Sequence, residues 1–133
     1  MALQYSTTHR NAAMDDITSK LGATGYVLIY TGSAPSNCGS AATGTLLASL
    51  PMSNPVAPSS SSGVLTMSTI TSATAGNTGT AGYFRLCTSS AGTTCVVQGT
   101  VGTSGADLNL TSTSITSGQT VSVTSWTITA FGA

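Results

Sequence analysis

The last residues of the chain, SGQTVSVTSWTITAFGA (117–133), have the alternation of a buried β-strand, but the apolar face changes halfway. Val121 and Val123 are apolar at odd positions, whereas Trp126 and Ile128 are apolar at even positions. Side chains alternate between the two faces of a strand, so the strand must switch its inward face between these two pairs.

Such a switch predicts a β-bulge near Thr124 and Ser125. A bulge bends a strand and lets it pass from one sheet to another. We therefore expect the two valines to face one core region, and Trp126 with Ile128 to face another. The alternative is a strand that a second subunit buries on both faces.

Further strand patterns follow one another at short intervals upstream. GYVLIYTG (25–32) is apolar at odd and even positions, which predicts a central strand covered on both faces. YFRLC (83–87) and CVVQGTV (95–101) predict a hairpin. PMSNPVAPSSSSG (51–63) holds three of the four prolines and is expected to be an exposed Pro/Ser-rich loop. We predict one domain over residues 1–133, an all-β, jelly-roll-like β-sandwich with one short N-terminal helix.

The helix is predicted over residues 7–21, in TTHRNAAMDDITSKLG. Thr7 or Thr8 is the expected N-cap and Gly22 the expected stop. Apolar side chains recur there at helical spacing: Ala13, Met14, Ile17 and Leu21.

The chain carries very little charge. Charged residues make up 5% of the sequence, against roughly 25% in an average soluble domain, and the formal net charge is zero. Copies of the chain therefore repel one another weakly, which favours self-association. Phosphate binding needs a basic patch that this sequence lacks, so nucleic acid is not an expected partner.

Four of the six charged side chains lie in the predicted helix: Arg10, Asp15, Asp16 and Lys20. Such a cluster on an otherwise neutral chain is the natural place for electrostatic specificity. The simpler interpretation is that these charges only solvate the outer face of the helix. Replacement of Arg10, Asp15 and Asp16 by Ala is expected to leave the isolated fold intact and to weaken binding to a partner, whereas unchanged binding would favour the simpler interpretation.

No targeting or membrane segment is evident. MALQYSTTHRN lacks the hydrophobic run of a secretory signal, so we expect no such export. YVLIY (26–30) is far shorter than the ~20 residues of a membrane-spanning helix.

The three cysteines form no metal-ligand spacing. Cys87 and Cys95 face each other across the predicted hairpin, but free thiols are the expectation in a reducing cytosol.

Catalytic chemistry has few residues to draw on. The only histidine, His9, lies at the start of the helix, where a capping or surface role is the simpler interpretation. The carboxylates are Asp15, Asp16 and Asp107, and the first two are adjacent on a helix and point apart. No nucleotide-binding, metal-binding or nucleophile motif is present. We predict no enzymatic activity, no catalytic or metal site and no cofactor.

The chain resembles a set of small virion proteins of tailed bacteriophages. The resemblance is carried by LQYSTTHRNAAMDDITSKLG, LIYTGSAPSNC, TGTLLASL, GTAGYFRLC, AGTTCVVQGTVG and SGADLNL…SITSGQTVSVTSWTIT. Among these virion proteins are the cement, or head-decoration, proteins that bind the outside of HK97-like capsids. The resemblance implies a jelly-roll fold present in many copies, as dimers or else trimers, that bridge neighbouring capsomers. Segment 51–63 shares no pattern with that set.

This resemblance predicts a structural virion protein that binds the major capsid protein and stabilises the capsid against internal DNA pressure. The expected location is the outer surface of the head, after assembly in the cytoplasm of the bacterial host. The candidate capsid contacts are Arg10, Asp15, Asp16 and Lys20. The main alternative is a tail-fibre or tail-associated receptor-binding protein that contacts host glycans. That function would favour exposed aromatic residues, whereas most of those present fall inside strand patterns typical of core positions. A secreted carbohydrate-binding module is a weaker alternative, since the sequence shows no secretory signal.

Overall fold

The computed structural model describes residues 3–131 and shows an all-β fold with one short helix. The elements in chain order are α1 (Thr7–Leu21), β1 (Tyr26–Thr31), β2 (Leu46–Pro51), β3 (Val64–Thr66), β4 (Ala73–Thr74), β5 (Gly79–Cys87), β6 (Cys95–Gly102), β7 (Leu108–Asn109), β8 (Ser114–Ile115), β9 (Thr120–Val121) and β10 (Thr127–Thr129).

The largest sheet has the order β2-β1-β5-β6-β7, and β8 pairs with the first residues of β5. β1 lies between β2 and β5, and its four middle residues are buried. Val27 and Ile29 belong to the main core, whereas Leu28 and Tyr30 belong to a separate cluster on the opposite face. The prediction of a central strand covered on both faces is confirmed.

Two short sheets and the helix enclose the main core. One sheet pairs β3 with β10, and the other pairs β4 with β9. Leu65 of β3, Val121 of β9 and Leu21 of α1 all belong to the same cluster of buried apolar side chains as Val27 and Ile29 of β1. Most of the molecule's apolar burial therefore lies on one face of the large sheet.

The C-terminal segment does pass between two sheets, but the predicted bulge is wrong. β9 ends at Val121, β10 begins at Thr127, and the residues between them belong to no strand. The segment leaves one partner strand at Val121 and pairs with another from Thr127, so an irregular stretch, residues 122–126, makes the change and not a β-bulge within one strand. Val123 and Trp126 also share one core cluster rather than two.

The helix covers Thr7–Leu21, but its N-cap is Ser6 rather than Thr7 or Thr8. The Ser6 backbone is extended, and its side-chain oxygen accepts a hydrogen bond from the His9 amide, as an N-cap does. Gly22 ends the helix with a positive φ, and its amide donates to the Thr18 carbonyl oxygen. The inward side of the helix buries a short stripe that includes Ile17, whereas Ala13, expected on the apolar face, is exposed.

Segment 51–63 is not wholly exposed, which corrects the sequence-based expectation. Val56 and Ala57 at its centre are buried in the main core. The Val56 carbonyl oxygen accepts a hydrogen bond from the Ser68 amide, which fixes the segment beside the chain that follows β3. Pro51 is the last residue of β2, and the segment leaves the large sheet after it, but its apolar side chains at the centre still enter the core.

Trp126 connects the C-terminal segment to the large sheet. Its side chain is 7% exposed and meets the Phe84 ring edge to face, with ring centroids 4.9 Å apart. The indole Nε1 donates a 2.8 Å hydrogen bond to the backbone oxygen of Asp107. One residue thus combines apolar burial, aromatic packing and a satisfied polar atom.

We predict that Trp126→Ala lowers the free energy of unfolding by about 3–5 kcal/mol, since it leaves a large cavity and an unpaired carbonyl. Urea unfolding followed by circular dichroism measures this loss, and sedimentation reports the oligomeric state. Phe131→Ala is the control, because Phe131 is exposed and should change stability by less than about 0.5 kcal/mol. A folded Trp126→Ala protein that has only lost its self-association would place this residue at a subunit interface instead.

Candidate functional site

Two of the four candidate contact residues in α1 hold segment 59–63 against the helix. Asp15 Oδ1 accepts a 2.7 Å hydrogen bond from the Ser60 amide. Arg10 Nη1 donates to the Ser62 carbonyl oxygen at 3.3 Å. Arg10 and Asp15 therefore stabilise the fold, and their replacement is not expected to leave the isolated domain unaffected.

Asn11 strengthens the same contact although the sequence gives it no prominence. Its Oδ1 accepts a 2.7 Å hydrogen bond from the Gly63 amide, and its backbone oxygen accepts one from Ser60 Oγ. Gly63 has a φ of +75°, which favours glycine, and a Cβ there would displace the Arg10 guanidinium that contacts Ser62. Hydrogen bonds from three residues of the helix thus hold this segment in place.

The other two candidate residues, Asp16 and Lys20, form an exposed ion pair one helical turn apart, with 3.4 Å between Oδ1 and Nζ. An exposed pair of this kind contributes little to stability. Asp16 and Lys20 are therefore the members of the cluster that remain accessible to a partner.

The outer edge of β6 is open over much of its length. β5 pairs with one edge of β6, whereas β7 pairs with the other edge only at Val101 and Gly102. Within residues 3–131, no strand pairs with that outer edge over Cys95–Gly99. Unpaired backbone groups along a strand edge are a template for the addition of another strand.

An apolar groove of about 570 Å³ lies between β6 and β10. Its walls include Met14 of α1, Val97 of β6 and Ile128 of β10, and Trp126 contributes from the core side. Phe131 stands at the groove with 90% of its surface exposed. We name this feature the β6–β10 groove.

Asp107, the third carboxylate in the sequence, lies at the end of the open edge. Its Oδ2 accepts hydrogen bonds from the Thr100 amide at 2.9 Å and from Thr100 Oγ1 at 3.1 Å. Pairing between β6 and β7 starts at Val101. At Thr100, one residue earlier, the Asp107 carboxylate accepts the backbone hydrogen bond that a neighbouring strand would otherwise accept. Within residues 3–131, neither of the other two carboxylates, Asp15 and Asp16, contacts Asp107, so the structure does not bring two carboxylates together.

On the opposite face of the large sheet, the β1–β2 loop (32–45) folds back over β5 and β6. The Tyr83 hydroxyl forms two hydrogen bonds with the Thr43 backbone. It donates to the Thr43 carbonyl oxygen and accepts from the Thr43 amide. Gln98 Nε2 donates a 2.8 Å hydrogen bond to the Pro35 carbonyl oxygen. The loop is therefore held over the sheet by side chains of two strands.

A disulfide bond between Cys38 and Cys95 fixes the same loop, and this corrects the expectation of free thiols. Cys87 and Cys95 are cross-strand neighbours, as expected, but the bond joins Cys95 to Cys38. The folded-back loop brings these two cysteines, 57 residues apart in sequence, to a Cα–Cα distance of 5.5 Å. Cys87 remains a buried free thiol.

Beneath the β1–β2 loop lies a cavity of about 620 Å³ with Arg85 in its wall. The Arg85 side chain is only 2% exposed, and Nη2 donates a 2.8 Å hydrogen bond to the Ser40 carbonyl oxygen. Its Nε is buried and has no hydrogen-bond partner. Sequence reasoning missed this residue, although a lone arginine inside YFRLC, where Tyr83 and Cys87 share its face, was an available signal.

The pKa values of two side chains near Arg85 are raised. Burial raises the pKa of Cys87 above its usual 9.0, and the positive charge of Arg85 opposes this shift. Burial likewise raises the pKa of Tyr30 above 10.0, again against the influence of Arg85. Because the folded protein resists ionisation of these groups, their contribution to stability holds below about pH 9.0 and is lost as the pH rises further.

Over the described residues the structure holds no group of three or more histidine, cysteine or acidic side chains that is able to bind a metal ion. In the same part of the chain, α1 is too short and too polar to span a membrane.

We predict that Asp15→Ala lowers the free energy of unfolding by about 1–2 kcal/mol, because the half-buried Ser60 amide loses its acceptor. Asp16→Ala is the matched control. It removes the same side chain from the next position, where only an exposed ion pair is lost, and should cost less than about 0.5 kcal/mol. Urea unfolding of the two variants gives the comparison, and equal losses would refute the anchoring role of Asp15.

We predict that a maleimide labels no cysteine of the native protein at pH 7, because Cys87 is buried with a raised pKa and the other two cysteines are bonded. Unfolding in urea should expose one thiol, and unfolding with reductant all three. Mass spectrometry counts the labels. Labelling of Cys38 in the unreduced protein would show that the disulfide is absent.

Comparison with known proteins identifies no relative of the chain. The chain matches no protein-family model, no curated protein and no solved structure.

Proposed function

We propose that the protein is a structural component of a tailed-phage virion that binds the outer surface of the capsid and stabilises the contacts between neighbouring capsomers. The observation that carries the proposal is the open edge of β6 beside the apolar β6–β10 groove. The resemblance of the sequence to small virion proteins supports the choice of partner, the major capsid protein.

The proposed contact is the addition of a capsid strand to β6 over Cys95–Gly99. Backbone hydrogen bonds supply affinity in this mode, and pockets for alternate side chains supply specificity. Ile128 and Phe131 provide apolar surface for the side chains of the added strand. Asp16 and Lys20 are the charged candidates still free to contribute at the helix, whereas Arg10 and Asp15 are engaged in the fold.

Low charge suits this role. Apolar and backbone contacts depend weakly on salt, so occupancy should survive changes in ionic strength. A dimer or trimer that engages two capsomers at once gains roughly 10²–10⁴-fold in avidity, and each single contact can therefore be modest. Many weak linked contacts distributed over the shell resist the outward pressure of packaged DNA.

We infer a jelly-roll-like sandwich for the fold, in which the two short sheets together serve as the second layer. The Cys38–Cys95 disulfide suits a protein displayed on a virion surface, where such bonds persist, and in this proposal it forms after release from the bacterial cytoplasm.

We predict that phage particles without the protein assemble but release DNA at a lower temperature than complete particles. Added protein should restore the release temperature. Phe131→Ser protein should bind such particles about 10–100-fold more weakly, because burial of a phenylalanine is worth about 1.5–3 kcal/mol. Quantitative electrophoresis of washed particles measures occupancy.

Asp16→Asn combined with Lys20→Gln is the companion variant, since it removes the exposed ion pair and leaves the groove intact. Loss of binding in this variant alone would move the contact to the helix. Particles that lack the protein and yet release DNA at the ordinary temperature would refute the stabilising role.

The second candidate, a tail-fibre or tail-associated receptor-binding protein, is favoured by one feature, the Arg85 cavity. A concave site in which one charged group is placed among neutral lining residues favours ligand recognition over strand addition. Copy number per purified particle separates the two assignments, because a cement protein occupies every capsomer junction and a fibre protein only the tail.

A further inference from the structure

Within residues 3–131, Arg85 is a buried cation without a carboxylate partner. The chain has three acidic side chains, and each is engaged elsewhere: Asp15 with Ser60, Asp16 with Lys20, and Asp107 with Thr100. The hydrogen bond from Nη2 to the neutral Ser40 carbonyl does not offset the cost of burying a full charge. The Arg85 Nε has no hydrogen-bond partner among the residues that the structure describes.

This uncompensated charge forms part of the wall of a cavity rather than a sealed core. The cavity of about 620 Å³ falls in the size range of sites for small organic ligands, roughly 300–1,000 Å³. The β1–β2 loop forms one side and the β5–β6 loop (88–94) forms another. The Cys38–Cys95 disulfide holds both sides in place, so the cavity is preformed.

Apart from the aromatic side chain of Tyr30, small and polar residues line the remainder of the cavity. Ala41, Ala42 and Gly92 leave room for a ligand, and Thr93 and Thr94 carry hydroxyl groups. The lining thus includes one guanidinium, which is almost fully buried and already donates to Ser40 through Nη2, together with neutral hydrogen-bonding groups. A guanidinium pairs with a carboxylate through two parallel hydrogen bonds, and hydroxyl groups pair with other hydroxyl groups.

We propose that this cavity binds an acidic monosaccharide, such as a uronic acid, with its carboxylate on Arg85 and its hydroxyl groups on the threonine-lined wall. The size of the cavity favours a sugar over the carboxylate side chain of a partner protein, which would fill only a small part of it. The inference does not depend on the proposed capsid binding, and it names a ligand class for the second candidate function.

Titration calorimetry with D-glucuronate, D-glucose and acetate tests the proposal. Glucuronate should bind at least tenfold more tightly than glucose, because only glucuronate compensates the Arg85 charge. The affinity for glucuronate should also exceed the affinity for acetate at least tenfold, because acetate has no hydroxyl groups. Amide chemical shifts in the β1–β2 and β5–β6 loops locate the binding.

Two variants test the site itself. Arg85→Lys keeps the charge but loses the planar fork, and it should weaken glucuronate binding at least tenfold. Ala41→Trp narrows the cavity from an exposed position and should abolish binding with Arg85 intact, which keeps the test informative even if Arg85→Lys does not fold. Equal affinities for glucuronate and acetate would refute the sugar and indicate the carboxylate of a partner protein. Failure of glucuronate to bind the wild-type protein would overturn the proposal.

Discussion

The burial of the β1–β5 pair on both faces is the constraint on which the rest of the structure depends. Neither strand has a solvent-exposed face at its centre, so each face of the sheet needs its own cover. The helix, the two short sheets and the buried part of segment 51–63 cover one face. The β1–β2 loop covers the other, and because it has no secondary structure, side-chain hydrogen bonds and a disulfide must hold it in place.

These two covers give the molecule two different kinds of surface. The cover made of regular elements ends at the β6–β10 groove, where an open strand edge and an exposed Phe131 suit contact with another protein. The irregular cover forms one wall of the Arg85 cavity, which is open to solvent on another side and suits a small polar ligand. The two candidate functions therefore use opposite faces of the same sheet. The β6–β10 groove and the Arg85 cavity do not overlap, so one chain is able to bind through both.

Scarcity of charge decides how the few charged groups are used. Arg10 and Asp15 hold a loop against the helix, Asp107 caps a strand edge, and Asp16 with Lys20 forms an exposed pair. Arg85 is the exception, since it is buried and only one of its hydrogen bonds is satisfied within the protein. The chain has only six charged side chains. An uncompensated charge in a cavity is therefore a stronger indication of a ligand site here than in a domain of ordinary charge content.

The sequence by itself determined the local features: the helix over Thr7–Leu21, the doubly buried β1, the hairpin of β5 and β6, and the change of partner in the C-terminal segment. Each follows from periodicity, which depends only on neighbouring residues. Tertiary structure alone decided the pairing of Cys38 with Cys95, the burial of Val56 and the position of Arg85 over a cavity. These depend on where the β1–β2 loop and segment 51–63 fold back, and contacts between residues distant in sequence leave no periodic pattern.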